Sequence, residues 1–287
     1  MFLKQGGEIM KTIISAESTI DIPKEMLEQF HIQTVPFGVT MGEKDYLDGE
    51  ITNTEIFEFV SKNKILPRTS AVNRFEYEEY FKKLLSQGDA VVHISLSSGL
   101  SSAFENAKAV AESLPNVFVV DSRSLSTGIA LLAIKASEMA DKGMQPQDIA
   151  QAITALTPKV QASFVIDKLE YLHKGGRCSA LTKFGANLLS LKPEMIVADG
   201  KLTVGKKFIG KIDKVIKKYC DDILANNPNV DLDHAFVTYS SASPEMIETA
   251  RSALQQKGFK HIYTTTANAT VSCHCGPNTL GILFIKE

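Results

Sequence analysis

Near its C-terminal end the chain reads SCHCGPN over residues 272–278. Two thiols flanking an imidazole are residue types for a metal centre or for nucleophilic catalysis. Structural zinc takes four ligands, often as two close pairs, and the only other cysteines, Cys178 and Cys220, stand apart in the sequence. ATVSCH reads as a short strand, which would send Cys273 and Cys275 to one face and His274 to the other. The extended backbone would hold the two thiols about 6.6–6.8 Å apart with parallel Cβ directions, which discourages a disulfide. The expectation is therefore neither a metal nor a disulfide. Cys273 and Cys275 should be small buried apolar residues, and His274 should stand on a defined turn made by Gly276 and Pro277.

Hydroxyls supply a second constellation. AEST (16–19), SLSSGLSS (95–102) and DSRSLST (121–127) each follow an apolar, strand-like run, and Thr69-Ser70 sits in LPRTSAV between two helical patterns. Any one such loop reads as helix capping. Together, at the carboxyl ends of strands in an open α/β sheet, they read as a ligand site. The Ser-rich loops contain no histidine, so a site combining hydroxyl and imidazole has to borrow His274 from the second half, across a cleft. GKKFIGKI (205–212) has a GxxxxGK outline, but Ile212 replaces the hydroxyl that would hold magnesium, and the segment reads as the second arm of a hairpin. It is not expected to bind a nucleotide. Lys201, Lys206, Lys207, Lys211, Lys214, Lys217 and Lys218 form either a solvated face or a docking surface for an acidic partner.

The elements that must position these residues change rhythm midway. KTIIS, IQTVPFGV, AVVHISL and NVFVVDS alternate with amphipathic helical patterns, which implies a parallel sheet with helices on both faces. Ser102 and Glu105 fit a capping box at the start of one of these helices. After TPKVQ (157–161) come VQASFVI, an Asp199-Gly200 hairpin, and three short terminal strands HIYTTT, ATVSCH and LGILFIK, the signature of a mixed sheet. The expected architecture is α/β with two domains, 10–160 with the parallel sheet and 161–287 with the mixed one, preceded by a tail at 1–9. A chain of 287 residues buries about 75% of its unfolded surface and needs no staples. A net charge of −2 argues against nucleic acid or a membrane surface as partner. No apolar run is long enough to span a bilayer, MFLKQGGEIM lacks the apolar core of a signal peptide, and four scattered cysteines suit a reducing cytoplasm.

Five stretches in order resemble the DegV family, bacterial fatty-acid-binding proteins that serve fatty acid kinase. They are ESTIDIPKEMLEQFHIQTVPFGV, RTSAV, ISLSSGLSSAFENA, LEYLHKGGRCS and HCGPNTLGILF. Glu17 stands where the family usually has Asp, Ala71 replaces its Gln, Ser102-Ala103 replace its Gly-Thr, and Asn278 replaces the last Gly of GPG. The resemblance implies a lipid tunnel between the two domains, lined by the apolar helix LTKFGANLLSL and the ends of ATVSC. It implies a long-chain fatty acid as ligand, no cofactor, a carrier without catalysis of its own, a separate fatty acid kinase as partner, and a monomer. It assigns the carboxylate end to Thr69, Ser97, Ser98, Ser101, Arg177 and His274. Burying a sixteen-carbon tail offers on the order of 12 kcal/mol before ordering costs, so the polar end needs only to orient. A protonated His274 would add a charge-assisted bond. Two other readings stand beside this one. One is a hydrolase using Ser98 or Ser101 with His274, although no GxSxG elbow is present. The other is a small carbonyl ligand on His274, as in dihydroxyacetone kinases.

Overall fold

The computed structural model describes residues 10–178 and 191–287. The first half opens with β1 (Thr12–Glu17), a 3-10 turn at Ser18–Ile20, α1 (Lys24–Gln29) and β2 (Ile32–Val35). Then follow β3 (Gly38–Met41), β4 (Lys44–Leu47), α2 (Asn53–Asn63), β5 (Arg68–Ser70) and α3 (Arg74–Leu85). β6 (Ala90–Ser95), α4 (Ala103–Ala111), β7 (Val117–Asp121), α5 (Thr127–Asp141) and α6 (Pro146–Leu156) complete it. Four strands make a parallel sheet in the order β2-β1-β6-β7. Every residue of β6 is buried, as a strand covered on both faces requires.

IQTVPFGV, expected as one strand, divides at Pro36. Proline has no N–H to give a ladder, so β2 ends at Val35. From Gly38 the chain enters a separate antiparallel sheet, β4-β3-β5. There Thr69 pairs with Val39, so Thr69 rides on a strand rather than in the irregular loop that its neighbours suggest.

The second half holds β8 (Val160–Val165), α7 (Leu169–Gly175), β9 (Leu191–Ala198), β10 (Lys201–Ile209) and α8 (Ile212–Asn226). β11 (Val230–Tyr239), α9 (Pro244–Lys257), β12 (His261–Thr266), α10 (Ala269–Cys275) and β13 (Leu280–Lys286) follow. These strands form a mixed sheet in the order β10-β9-β8-β13-β11-β12. The β9–β10 hairpin turns at Asp199 and Gly200, both left-handed at φ 50° and 76°, as the sequence pair predicts. α5 packs against β1 and β6 of the parallel sheet and against β8, β11 and β13 of the mixed one. It is buried without a break from Thr127 to Ile134, as a helix with a sheet on each side must be. The N-terminal tail and LTKFGANLLSL, apart from Leu191, lie outside the described residues.

One expected strand is a helix. ATVSCH forms α10 and not an edge strand. Its β-branched Thr270 and Val271 favour extended backbone locally, but the helix start is held from far away. The Asp21 carboxylate accepts the Asn268 N–H at 2.8 Å, and the Asp48 carboxylate accepts the Thr270 N–H at 3.0 Å. These two groups satisfy donors that a helix start otherwise strands. No residue next to α10 in sequence signals them. The alternation argument for Cys273, His274 and Cys275 falls with the strand, since consecutive helical residues point about 100° apart. Cys273 packs with Val39, Ile51 and Ile56, while Cys275 joins the main core. All four cysteines are buried, and none is paired in a disulfide. Burial pushes the thiols of Cys273 and Cys275 up to about 12.

Candidate functional site

A cavity of about 260 Å³ opens where the loops of the parallel sheet meet α7, α10 and β10. Its polar residues include Thr69, Ser101, Ser102, Arg177 and His274, and its apolar wall includes Phe37, Leu96, Leu125, Leu172, Leu202 and Val271. Of the six residues expected at the polar end, the structure brings four to the cavity: Thr69, Ser101, Arg177 and His274.

The GGR stretch explains how two of them are set. Gly175 lies under the His274 ring, and a Cβ there would stand 2.5 Å from Nδ1. Gly176, at φ 71°, is the left-handed cap of α7. Arg177 then turns to the cavity, with its Nη1 donating to the Gly175 carbonyl at 2.7 Å. Each of the three residues therefore has its own geometric job.

His274 Nε2 and the Thr69 hydroxyl are 2.9 Å apart. Its Nδ1 is buried with no partner among the described residues. Desolvation, followed by the positive charge of Arg177, lowers the imidazole pKa to about 4. This corrects the protonated His274 expected from sequence: in this pocket the ring is neutral at pH 7. Among the described residues lining the cavity, the fixed positive charge is that of Arg177, which is exposed at its edge.

Ser101 accepts the Ala103 N–H at 3.2 Å, so its hydroxyl caps the start of α4 and keeps its own hydrogen to donate. The capping box expected from Ser102 and Glu105 does not form, because Ser102 makes no side-chain cap bond. Ser97 and Ser98 do not line the cavity. The Ser97 hydroxyl donates to the Gly200 carbonyl at 2.7 Å, which ties the tip of the β9–β10 hairpin to the first half. Ser98 is exposed and donates to the Asp121 carboxylate at 2.6 Å. Both departures follow from the helical turn after β6. Only part of a Ser-rich loop can face inward, and spacing alone does not say which part.

Two cavity residues escape sequence reasoning. Thr19 is fully buried on the cavity wall and its hydroxyl has no partner among the described residues. Thr270 lines the wall from the first turn of α10. The AEST loop hinted at Thr19. Nothing hinted at Thr270 while ATVSCH read as a strand.

Outside the cavity, Glu138, Asp233 and His234 place three possible metal ligands within 4.8 Å of one another. The Lys135 ammonium already sits 3.3 Å from Asp233 and 3.9 Å from Glu138, so this group reads as an ion-pair network fastening α5 to β11. Among the described residues no helix is long and apolar enough to cross a membrane.

Comparison with known proteins gives a consistent picture. The family described as "Uncharacterised protein, DegV family" matches residues 11–287. Protein DegV of Bacillus subtilis is 29% identical over 285 residues, covering 96% of this chain and 99% of the relative. Among solved structures, that of DegV, a fatty acid binding protein from Bacillus subtilis, superposes with a TM-score of 0.84 at 27% identity, over 97% of this chain and 100% of the other. A DegV family protein from Thermus thermophilus, described for its fatty acid binding, reaches a TM-score of 0.89 at 24% identity, with coverage of 97% and 100%.

Proposed function

Because the chain belongs to the DegV family, we propose that it binds a long-chain fatty acid in this cavity and presents the carboxylate to a separate fatty acid kinase for acyl phosphate formation. The observation that carries the reading is the division of the cavity into a polar end and an apolar wall. Arg177 is the charge that attracts a carboxylate. Ser101 retains a hydrogen to donate to it. When His274 Nε2 carries the ring hydrogen, it donates to Thr69 and frees the threonine hydrogen for the ligand. The Arg177 guanidinium and the two neutral hydroxyls of Ser101 and Thr69 orient the head group, and the apolar wall supplies the affinity, at about 0.8 kcal/mol per buried methylene. Arg177 and Ser102 are exposed at this end, which leaves a carboxylate oxygen reachable by a partner. The protein itself acts as a carrier.

The hydrolase reading needs a serine on the imidazole. Instead His274 Nε2 is engaged with Thr69, Ser101 with Ala103 and Ser98 with Asp121. Solvent extraction of the purified protein followed by mass spectrometry separates the possibilities. A stoichiometric intact fatty acid is the expected result, and its phosphorylation on adding the kinase and ATP is the second. Turnover of acyl esters, or a bound small carbonyl compound, would replace this reading with one of its rivals.

The lysine segment is the proposed docking face for the kinase in this scheme. Lys206 pairs with Asp222, and Lys217 pairs with Asp221 at 3.0 Å, so part of its charge is already engaged within the protein. Lys206→Glu with Lys207→Glu should slow acyl phosphate formation and flatten its salt dependence while fatty acid binding is kept. Normal kinase-dependent rates in that variant would return these lysines to a solvated face.

A further inference from the structure

α10 belongs to the second half of the chain, yet the small sheet β4-β3-β5 of the first half holds it at both ends. Asp48 follows β4 and continues its ladder, with its N–H donating to the Phe37 carbonyl at 2.8 Å. Its buried carboxylate accepts the Ser18 hydroxyl at 2.8 Å on one oxygen and the Thr270 N–H at 3.0 Å on the other. Ser18 is fixed in turn, because its hydroxyl accepts the Phe37 N–H at 3.0 Å. On the opposite side of β3, Thr69 pairs with Val39 and meets His274 Nε2 at 2.9 Å. Thr270 and His274 are one helical turn apart and so share a side of α10. Both line the cavity. Ala269 and Cys273, also one turn apart, join an apolar cluster with Val39 of β3. One small sheet therefore carries the grip on the first turn of α10 and the hydroxyl that meets its last turn.

We propose that Asp48 is a positioning residue for carboxylate recognition: by fixing the first turn of α10 against the small sheet, it sets His274 on Thr69 and so aims the threonine hydroxyl hydrogen at the ligand. This rests on the fatty-acid reading of the cavity. Asp48 does not itself line the cavity, so it acts through α10. The leverage is geometric. A tilt of the short helix that stretches the Thr69–His274 contact from 2.9 Å to about 3.6 Å ends that hydrogen bond. The Thr69 hydroxyl is then free to turn away from the head group, while the apolar wall stays in place.

The test compares dodecanoic acid with dodecanol, which has the same chain and no carboxylate, in competition for one fluorescent acyl probe. The alcohol reads the apolar wall, and the acid reads the wall together with the head-group end. Asp48→Ala should lower the acid-over-alcohol affinity ratio about fivefold, the worth of one oriented neutral hydrogen bond, and leave alcohol affinity within about twofold. Asp48→Asn keeps an acceptor oxygen for the Thr270 N–H and should restore the ratio. A second readout needs no ligand. The wild-type His274 ring should titrate near 4 by NMR, and loosening α10 hydrates it, so Asp48→Ala should move its pKa up toward 6.5. Equal losses for acid and alcohol, or an unmoved ring titration in the folded variant, overturn the positioning role. Where Asp48→Ala does not fold, Ser18→Ala withdraws one of the carboxylate's donors and should shift both readouts in the same direction. No shift there overturns the role as well. A wild type with no preference for the acid overturns the fatty-acid reading, and the ring titration then judges the hold on His274 by itself.

Discussion

His93 and His274 are both enclosed by protein, in opposite circumstances. His93, on β6, is fully buried, and each ring nitrogen has a partner: Ser15 at 2.9 Å on Nδ1 and Glu17 at 3.1 Å on Nε2. Glu17 accepts in addition from the Tyr77 and Ser95 hydroxyls, each at 2.6 Å, and from the Leu96 N–H at 2.8 Å. Burial pushes the Glu17 carboxyl up, but His93 and the hydrogen bonds from His93, Ser95 and Tyr77 outweigh it and hold the group below its ordinary value. Among the described residues His274 has one hydrogen-bond partner, Thr69, and an Nδ1 without one, and a cation nearby resists its protonation. A closed network of this kind holds a structure together. An open one, facing a cavity with donors to spare, is where a ligand completes the bonding. The two histidines thus separate a fastening from a site by what each still lacks.

The largest expected effect is on the fastening. Glu17→Ala removes the acceptor of four donors in a fully buried place and leaves His93 and Tyr77 without their partner. It should lower stability by about 3–5 kcal/mol, read from denaturant unfolding. A loss below about 1 kcal/mol would break the contrast drawn here.

The next effect is on pH. A histidine with a folded pKa of about 4 and an ordinary value of 6.5 binds protons more readily unfolded than folded between those limits. Its contribution to stability is therefore complete above pH 6.5 and is lost as pH falls toward 4. Asp21 and Asp48 act in the opposite sense, since burial raises both carboxyls and their contribution declines as pH rises. The difference between wild type and His274→Gln isolates the histidine. Wild-type stability should fall relative to the variant by about 2–3 kcal/mol across that range. Parallel pH curves would show that the ring is not held neutral by the fold.

A smaller effect is expected on ligand affinity. Thr69→Ala with Ser101→Ala should weaken fatty acid binding about tenfold or more, at about 1 kcal/mol for each neutral hydrogen bond, with the fold retained. Unchanged affinity in a competition assay would remove both from the head-group end. The smallest effect belongs to Ser97→Ala. That hydroxyl is already matched to Gly200, so its loss should cost about 1 kcal/mol of stability and leave fatty acid affinity within twofold. A tenfold loss of affinity there would erase the distinction between a latch and a site.

Much of this was legible in the residues because the relevant signals are local. The alternating strands of the first half, apart from the division at Pro36, and the Asp199-Gly200 turn appear in the structure. Thr69, Ser101, Arg177 and His274 reach one cavity because their motifs fix short stretches of backbone. What sequence spacing missed depends on partners distant in the chain. α10 was misread because Asp21 and Asp48, which cap it, are more than two hundred residues away. The inward or outward choice among Ser97, Ser98 and Ser101 depends on Gly200 and Asp121, which no local pattern predicts. Asn278 in place of a family glycine is accommodated at φ 57°, with its N–H on Ser241 and its amide on Asp167.

The remote capping of α10 also orders events in time. Seven residues make a marginal helix on their own. This one is anchored to carboxylates separated from it by 247 and 222 positions. β13, which follows it, fills the central gap between β8 and β11. During synthesis from the N-terminus, Asp21 and Asp48 emerge long before the segment they hold. Until residues near 268–286 leave the ribosome, the mixed sheet is split and the cavity lacks the wall that carries His274. Contacts this distant in sequence close slowly, so the cavity is walled only after α10 has docked on Asp21 and Asp48, and it opens again when α10 detaches.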